Sequence, residues 1–107
     1  MTRKPNIIII LADDMGFSDI GCYGGMAQTP NLDSLAANGL RYSQFYNTSK
    51  CTTSRSSLLT GRYVLKETYS PNLQAGPTIG ALLQAGGYRT LWIGKNHSSL
   101  KPPEAGF

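Results

Sequence analysis

The sequence predicts an α/β fold, a mostly parallel sheet flanked by helices, of which these residues form only part. Three observations carry that expectation. An uninterrupted apolar run, Ile7-Ile8-Ile9-Ile10-Leu11-Ala12, ends abruptly at Asp13-Asp14. Well-punctuated helical segments then alternate with short β-rich ones, the spacing of parallel pairing. Three strand candidates are also too few to close a doubly wound sheet. The 107 residues therefore read as an incomplete part of one domain, with no linker dividing them.

Each element has a local reason. Four β-branched residues in a row, without alternation, suit a strand buried on both faces. Adjacent acids at its end are costly to bury unless they face a cation or a cleft, and in open α/β sheets ligands bind at that end. After a glycine-rich loop, Gly21 to Gln28, Thr29 can cap a helix and Pro30 fits its first position. Leu32, Leu35 and Ala36 give that helix an apolar face, and Gly39 stops it. Leu40 to Tyr46 reads as a short strand. A second helix is expected from about Ser54 to Leu59, ending near Gly61, and a third from Thr78 through Ile79, Leu82 and Leu83 to Gly86-Gly87. Tyr88 to Ile93 is the last strand candidate, broken by Gly94. The proline-rich tail, Lys101 to Phe107, is expected to carry no element.

Composition bounds the function classes. At 40% hydrophobic and 15% charged residues, the chain has the make-up of an ordinary globular protein. Its ten Lys and Arg give a net charge of +4 but are scattered, whereas nucleic-acid binders carry a basic stripe. Nucleic acid is not expected as a partner; the charge suits a solvated surface as well as a mild attraction for small anions. No apolar stretch approaches transmembrane length, so no membrane partner is expected, and residues 7–12 are too short for a signal-peptide core. The compartment stays open: cytoplasmic as the sequence is written, periplasmic or secreted if a leader has been removed. Two cysteines, Cys22 and Cys51, make no disulfide framework, and a single histidine, His97, leaves no zinc-type cluster.

The densest chemistry lies in Cys51-Thr52-Thr53-Ser54-Arg55-Ser56-Ser57-Leu58-Leu59-Thr60-Gly61-Arg62. It places a nucleophile-capable side chain just before a helix, with hydroxyl caps around it and Arg55 one turn on. Free N–H groups at a helix N-terminus and a nearby guanidinium make a site for an anion. On residue types alone, a capped helix with a buried cysteine explains the segment as well. Residue order is more specific. The segment resembles the sulfatase signature, in which Cys is followed two residues later by Pro, four residues later by Arg, and then by Leu-Thr-Gly-Arg. Cys51, Ser54, Arg55, Leu59, Thr60, Gly61 and Arg62 fall in register, with Thr53 standing where the family has Pro or sometimes Ala.

Other segments agree. Lys4-Pro5-Asn6 followed by the apolar run and Asp13-Asp14 is similar to the family's first strand, and Thr29-Pro30-Asn31-Leu32-Asp33-Ser34-Leu35-Ala36 to its first helix. Gly39 with Tyr42, Phe45 and Tyr46 continues the match. Gly86-Gly87-Tyr88-Arg89-Thr90 leads into Gly94-Lys95-Asn96-His97, which resembles the family's Gly-Lys-aromatic-His segment with Asn96 in place of Trp.

The resemblance, which covers nearly all of Lys4 to His97, implies an alkaline-phosphatase-like fold, with residues 1–107 as the N-terminal part of the catalytic domain. It implies a sulfuric ester hydrolase of the arylsulfatase type, acting on a small-molecule or carbohydrate sulfate ester. Cys51 would be oxidised to formylglycine by a formylglycine-generating enzyme, and the hydrated aldehyde would attack the sulfur. Asp13, Asp14 and the group made from Cys51 would hold a divalent cation, Ca²⁺ with Mg²⁺ as the alternative. Arg55 and Lys95 would balance charge, and His97 would move a proton. The chemistry is coherent: adjacent carboxylates offer hard oxygen ligands, and imidazole is the side chain suited to proton transfer near neutrality. Catalysis would be covalent.

Two alternatives stand beside this. A phosphonate or phosphate ester hydrolase of the same superfamily can use the same scaffold and nucleophile. A non-catalytic, truncated fragment is the other, because the family's remaining metal ligands, an Asp followed by Asn or His, have no counterpart here. After Asp33 the only acids are Glu67 and Glu104. Unpaired strand edges in such a piece would favour self-association. Asp19 reads as a solvated loop acid, Asp33 as a first-turn acid favouring the helix dipole, Cys22 as a small loop residue and Trp92 as core. Tyr42, Tyr46, Tyr63 and Tyr69 could line a cleft, and packing explains most of them.

Overall fold

A computed structural model describes residues 4–63, 76–98 and 100–107; Glu67 and Tyr69 lie outside them. The chain forms two compact units that divide between Phe45 and Tyr46, at a point with no linker composition.

In the first unit, two short 3₁₀ turns, Phe17–Asp19 and Gly21–Tyr23, precede helix α1, Pro30–Asn38. The helix starts and stops where its punctuation predicts, with Thr29 before it and Gly39 after it. Thr29, however, makes no side-chain bond to the α1 backbone. Its hydroxyl accepts from the Gly21 N–H at 2.9 Å and donates to the Asp33 carboxylate at 2.9 Å. Asp33 is therefore a tie between α1 and the second turn as well as a first-turn acid. Arg41 closes the same unit, donating to the Cys22 carbonyl and lying 5.4 Å over the Tyr23 ring. Asp19 is likewise more than a solvated acid, since it accepts from the Gly16 N–H at 2.5 Å.

In the second unit, α2 spans Cys51–Thr60 and α3 spans Ile79–Ala85. The sequence places the start of α2 at about Ser54; the structure starts it at Cys51. The reason lies in the hydroxyls. The Lys50 carbonyl accepts from both the Ser54 N–H at 2.9 Å and the Thr53 hydroxyl at 3.1 Å. Thr48 in turn bonds the hydroxyls of Thr53 and Ser54 at 2.6 and 3.0 Å. Side chains that read as caps outside the helix thus lie within its first turn. At the other end Gly61, at φ 64°, takes the left-handed conformation that closes a helix and donates its N–H to the Ser57 carbonyl at 2.9 Å. Thr52, Arg55 and Leu59 recur at spacings of three and four residues, so the buried face of α2 is a mixed one: hydroxyl, guanidinium and isobutyl.

Helix α3 packs on α2 and is seated by the tail. Thr78 caps it, accepting from the Ala81 N–H at 3.1 Å, and donates its own proton to the buried Ala105 carbonyl at 2.6 Å. The tail, expected to carry no element, is a hydrogen-bonded turn: the Phe107 N–H reaches the Pro102 carbonyl at 2.9 Å and the Ala105 N–H the Lys101 carbonyl at 3.0 Å. Ala105 and Leu59, 1% and 3% exposed, are the buried apolar residues among those described. Trp92 is half-buried and meets Phe107 edge-on at 5.1 Å.

The sheet is where sequence and structure differ. Among the described residues there is no strand. A strand exists only through a ladder with a neighbour, and none of the three expected segments meets one. Ile8 and Ile10 are 82% and 79% exposed and Ile93 94% exposed, so these runs do not have the two-sided burial their composition suits. Contacts in both units form instead around helices and turns. No helix among the described residues is long and apolar enough to cross a membrane.

The tail contact is testable at Gly80. A Cβ there would lie 2.5 Å from the Ala105 carbonyl oxygen and 2.7 Å from that of Gly106. Ala is the better helix former, yet Gly80→Ala is expected to destabilise the chain by about 1–3 kcal/mol through overpacking. A thermal midpoint that rises instead would show that the tail does not sit on α3.

Candidate active site

Cys51 is the first residue of α2 and half-buried. It therefore lies in the turn whose N–H groups have no partner within the helix, the end that favours negative charge. Its Sγ is 3.2 Å from Nδ1 of His97, a residue on the 94–98 segment. Either atom can hold the proton between them. His97 has φ 48°, a left-handed conformation uncommon for a residue with a side chain and recurrent at functional sites.

The segment that carries His97 is fastened from below. Arg55, one turn into α2 and 6% exposed, donates from Nη1 to the Lys95 carbonyl at 2.8 Å. Cys51 and His97 are separated by 46 residues and Arg55 and Lys95 by 40, so these two contacts gather four of the sequence-predicted residues into one place. Asn96 was notable in the sequence only as a departure. Here it fixes the following turn: its Nδ2 donates to the Leu100 carbonyl at 2.7 Å, and its Oδ1 accepts from the Ser98 hydroxyl at 2.7 Å. A side chain able both to donate and to accept is the signal that could have marked it. Thr53 occupies the first turn of α2, where a residue gives up no intrahelical N–H bond; proline would fit the same position.

Asp13 and Asp14 belong to the first unit and are exposed, with Asp14 at φ 56°. Their carboxylates are hard oxygen donors, right in kind for Ca²⁺ or Mg²⁺. They do not fit in number. Ca²⁺ takes about six to eight oxygens, and among the described residues no group of three or more His, Cys, Asp or Glu gathers to supply them. Cys51, the third expected metal-site residue, belongs to the other unit.

The expectation that most of the tyrosines pack is not met. Tyr42, Tyr46 and Tyr63 are all exposed, Tyr42 with its ring 5.7 Å from that of Phe45. Tyr69 lies outside the described residues. Cys22 and Cys51 are both free thiols.

Comparison with known proteins is consistent across the chain. The family model described as Sulfatase matches residues 5–107. The chain is similar to human arylsulfatase A, at 42% identity over all of this chain and 25% of that protein. It is similar to arylsulfatase H of the dog, at 42% identity over 94% of this chain and 21% of that one. It is also similar to the arylsulfatase of Klebsiella aerogenes, at 37% identity over 94% of this chain and 25% of that one. The chain thus spans about a quarter of the length of the curated relatives it matches. No solved structure gives a significant match.

The thiol–imidazole contact predicts a reactivity. Alkylation of Cys51 by iodoacetamide is expected to slow by about tenfold or more in His97→Ala, because the base that takes up the thiol proton is gone, while Cys22 is unaffected. Equal rates at Cys51 with and without the imidazole would show that the contact does not activate the sulfur.

Proposed function

The chain belongs to the sulfatase family, and from that premise we propose that the protein carrying it is a sulfuric ester hydrolase whose nucleophile derives from Cys51. The observation that supports this reading best is the 3.2 Å approach of Cys51 and His97 above the bond between Arg55 and Lys95. Four residues from two separate sequence motifs meet at one helix end.

The proposed roles are these. The side chain of residue 51, converted from cysteine to formylglycine by a formylglycine-generating enzyme, is hydrated to a gem-diol in the first turn of α2. One of its hydroxyl oxygens attacks the sulfur, the bond from sulfur to the ester oxygen breaks, and the alcohol leaves with a proton. The second hydroxyl then gives up its proton and sulfate is expelled, which restores the aldehyde. Negative charge that builds there is favoured by the helix end and by the buried guanidinium of Arg55. His97, within hydrogen-bond reach of position 51, moves a proton to or from the nucleophile. Lys95, two residues before it, offers an ammonium to the sulfate oxygens. Asp13 and Asp14 would supply hard oxygen ligands, right in kind for a divalent cation, Ca²⁺ or Mg²⁺. Splitting the reaction at a covalent sulfated enzyme replaces one difficult step by two easier ones. The substrate class is a sulfate ester of a small molecule or a carbohydrate.

The test is turnover by the protein purified from its own cells, on a matched panel of aryl sulfates and aryl phosphonates. Sulfate esters are expected to be preferred. Cys51→Ala should remove at least about 10³-fold of kcat/KM and His97→Asn about 10²-fold or more. A clear preference for phosphonates would replace the sulfatase reading with that of a phosphonate hydrolase on the same scaffold. Full activity in Cys51→Ala would remove the nucleophile from position 51.

A further inference from the structure

We infer that Arg55 is a positioning residue for His97, acting through the main chain of Lys95 and not through charge alone. The inference rests on the proposed role of the Cys51–His97 pair. Charge alone could be supplied by any cation near the nucleophile. What the geometry adds is a specific bond.

Arg55 points into the second unit, 6% exposed, on the same face of α2 as Thr52 and Leu59. A guanidinium so placed is held in a single setting by packing, and its planar fork presents donors in fixed directions. One of them, Nη1, reaches the Lys95 carbonyl at 2.8 Å. Charge-assisted bonds of this kind are about twice as strong as neutral ones. Two residues further on, His97 adopts φ 48° and turns its Nδ1 to 3.2 Å from Cys51. The left-handed residue is costly on its own and persists where the surroundings determine it. The surroundings here are a pair of fasteners. Arg55 holds the chain before His97, and Asn96 with Ser98 holds the chain after it through their bonds to the Leu100 carbonyl. The imidazole is thereby carried to the N-terminal turn of the same helix whose second turn supplies the guanidinium.

One consequence separates this from a purely electrostatic role: lysine at position 55 keeps the positive charge but lacks the fork, so it should not replace arginine.

The experiment uses the chain in its unconverted thiol form and exploits the fact that His97 is its only histidine. The ring signals of His97 are followed by NMR at one fixed pH, through the nuclear Overhauser contact between its Hε1 proton and the β-protons of Cys51. The wild-type chain is expected to show that contact. In Arg55→Lys it should be lost, while circular dichroism shows the helices retained. Persistence of the contact in folded Arg55→Lys would overturn the proposal. Should Arg55→Lys fail to fold, solvent exchange of the Arg55 guanidinium protons in the wild-type chain decides: slow exchange is expected from a bonded fork, and fast exchange would overturn the proposal. These signals report geometry and not turnover, so their failure leaves the sulfatase reading standing, and absence of turnover leaves this one standing.

Discussion

Arg55 is buried where few of the described residues are, and its bond to the Lys95 carbonyl joins the helix that begins at Cys51 to the segment that carries His97. That bond ties α2 to residues 94–98 beside the 3.2 Å approach of Cys51 and His97. With it, the first turn of α2 faces a histidine held at an unusual backbone angle. A buried guanidinium loses its hydration and regains it only through well-placed acceptors, so such a residue is tolerated where its bonds fix something useful. In this unit what it fixes is the distance between Cys51 and His97.

The helices were legible in the sequence because their signals are local. Thr29-Pro30 and Gly39 mark the ends of α1, and Thr78 and Gly86 those of α3, each through a backbone geometry that one residue type supplies best. The start of α2 was misplaced because its first turn is built of hydroxyl residues, which serve as caps outside a helix or as hydrogen-bonding side chains within one. Only the Thr48 contacts decide between these. The tail was missed for a related reason. Ala105 and Gly106 have almost no side chain, so nothing in their composition announces that they are buried against Gly80. The strands rested on a different kind of evidence. The run from Ile7 to Leu11 states that it needs apolar surroundings on both faces but not which segments provide them, and no ladder forms around it among the described residues.

The candidate site shows the same division. Cys51, Arg55, Lys95 and His97 could be named from two motifs more than thirty residues apart, and the second unit brings them together. Asp13 and Asp14 could be named from the chemistry of adjacent carboxylates, but a divalent cation needs more oxygens than the two supply. What the motifs did not state was how the parts are held. Asn96, which breaks the family's pattern, orders the turn beyond His97, and Arg55, which keeps the pattern, holds the turn before it. A motif gives residue identity and spacing; the bonds that fix an angle or a distance lie in pairings across the fold.

The claim on which the functional account depends is chemical, not geometric: residue 51 must become an aldehyde. The most direct measurement is the mass of the Cys51-containing peptide from protein made in its own cells. The account predicts a peptide lighter than the encoded one by the difference between a cysteine side chain and a formyl group, and reactive toward carbonyl reagents such as hydrazides. An unmodified cysteine at position 51, in cells shown to convert other sulfatases, would contradict it.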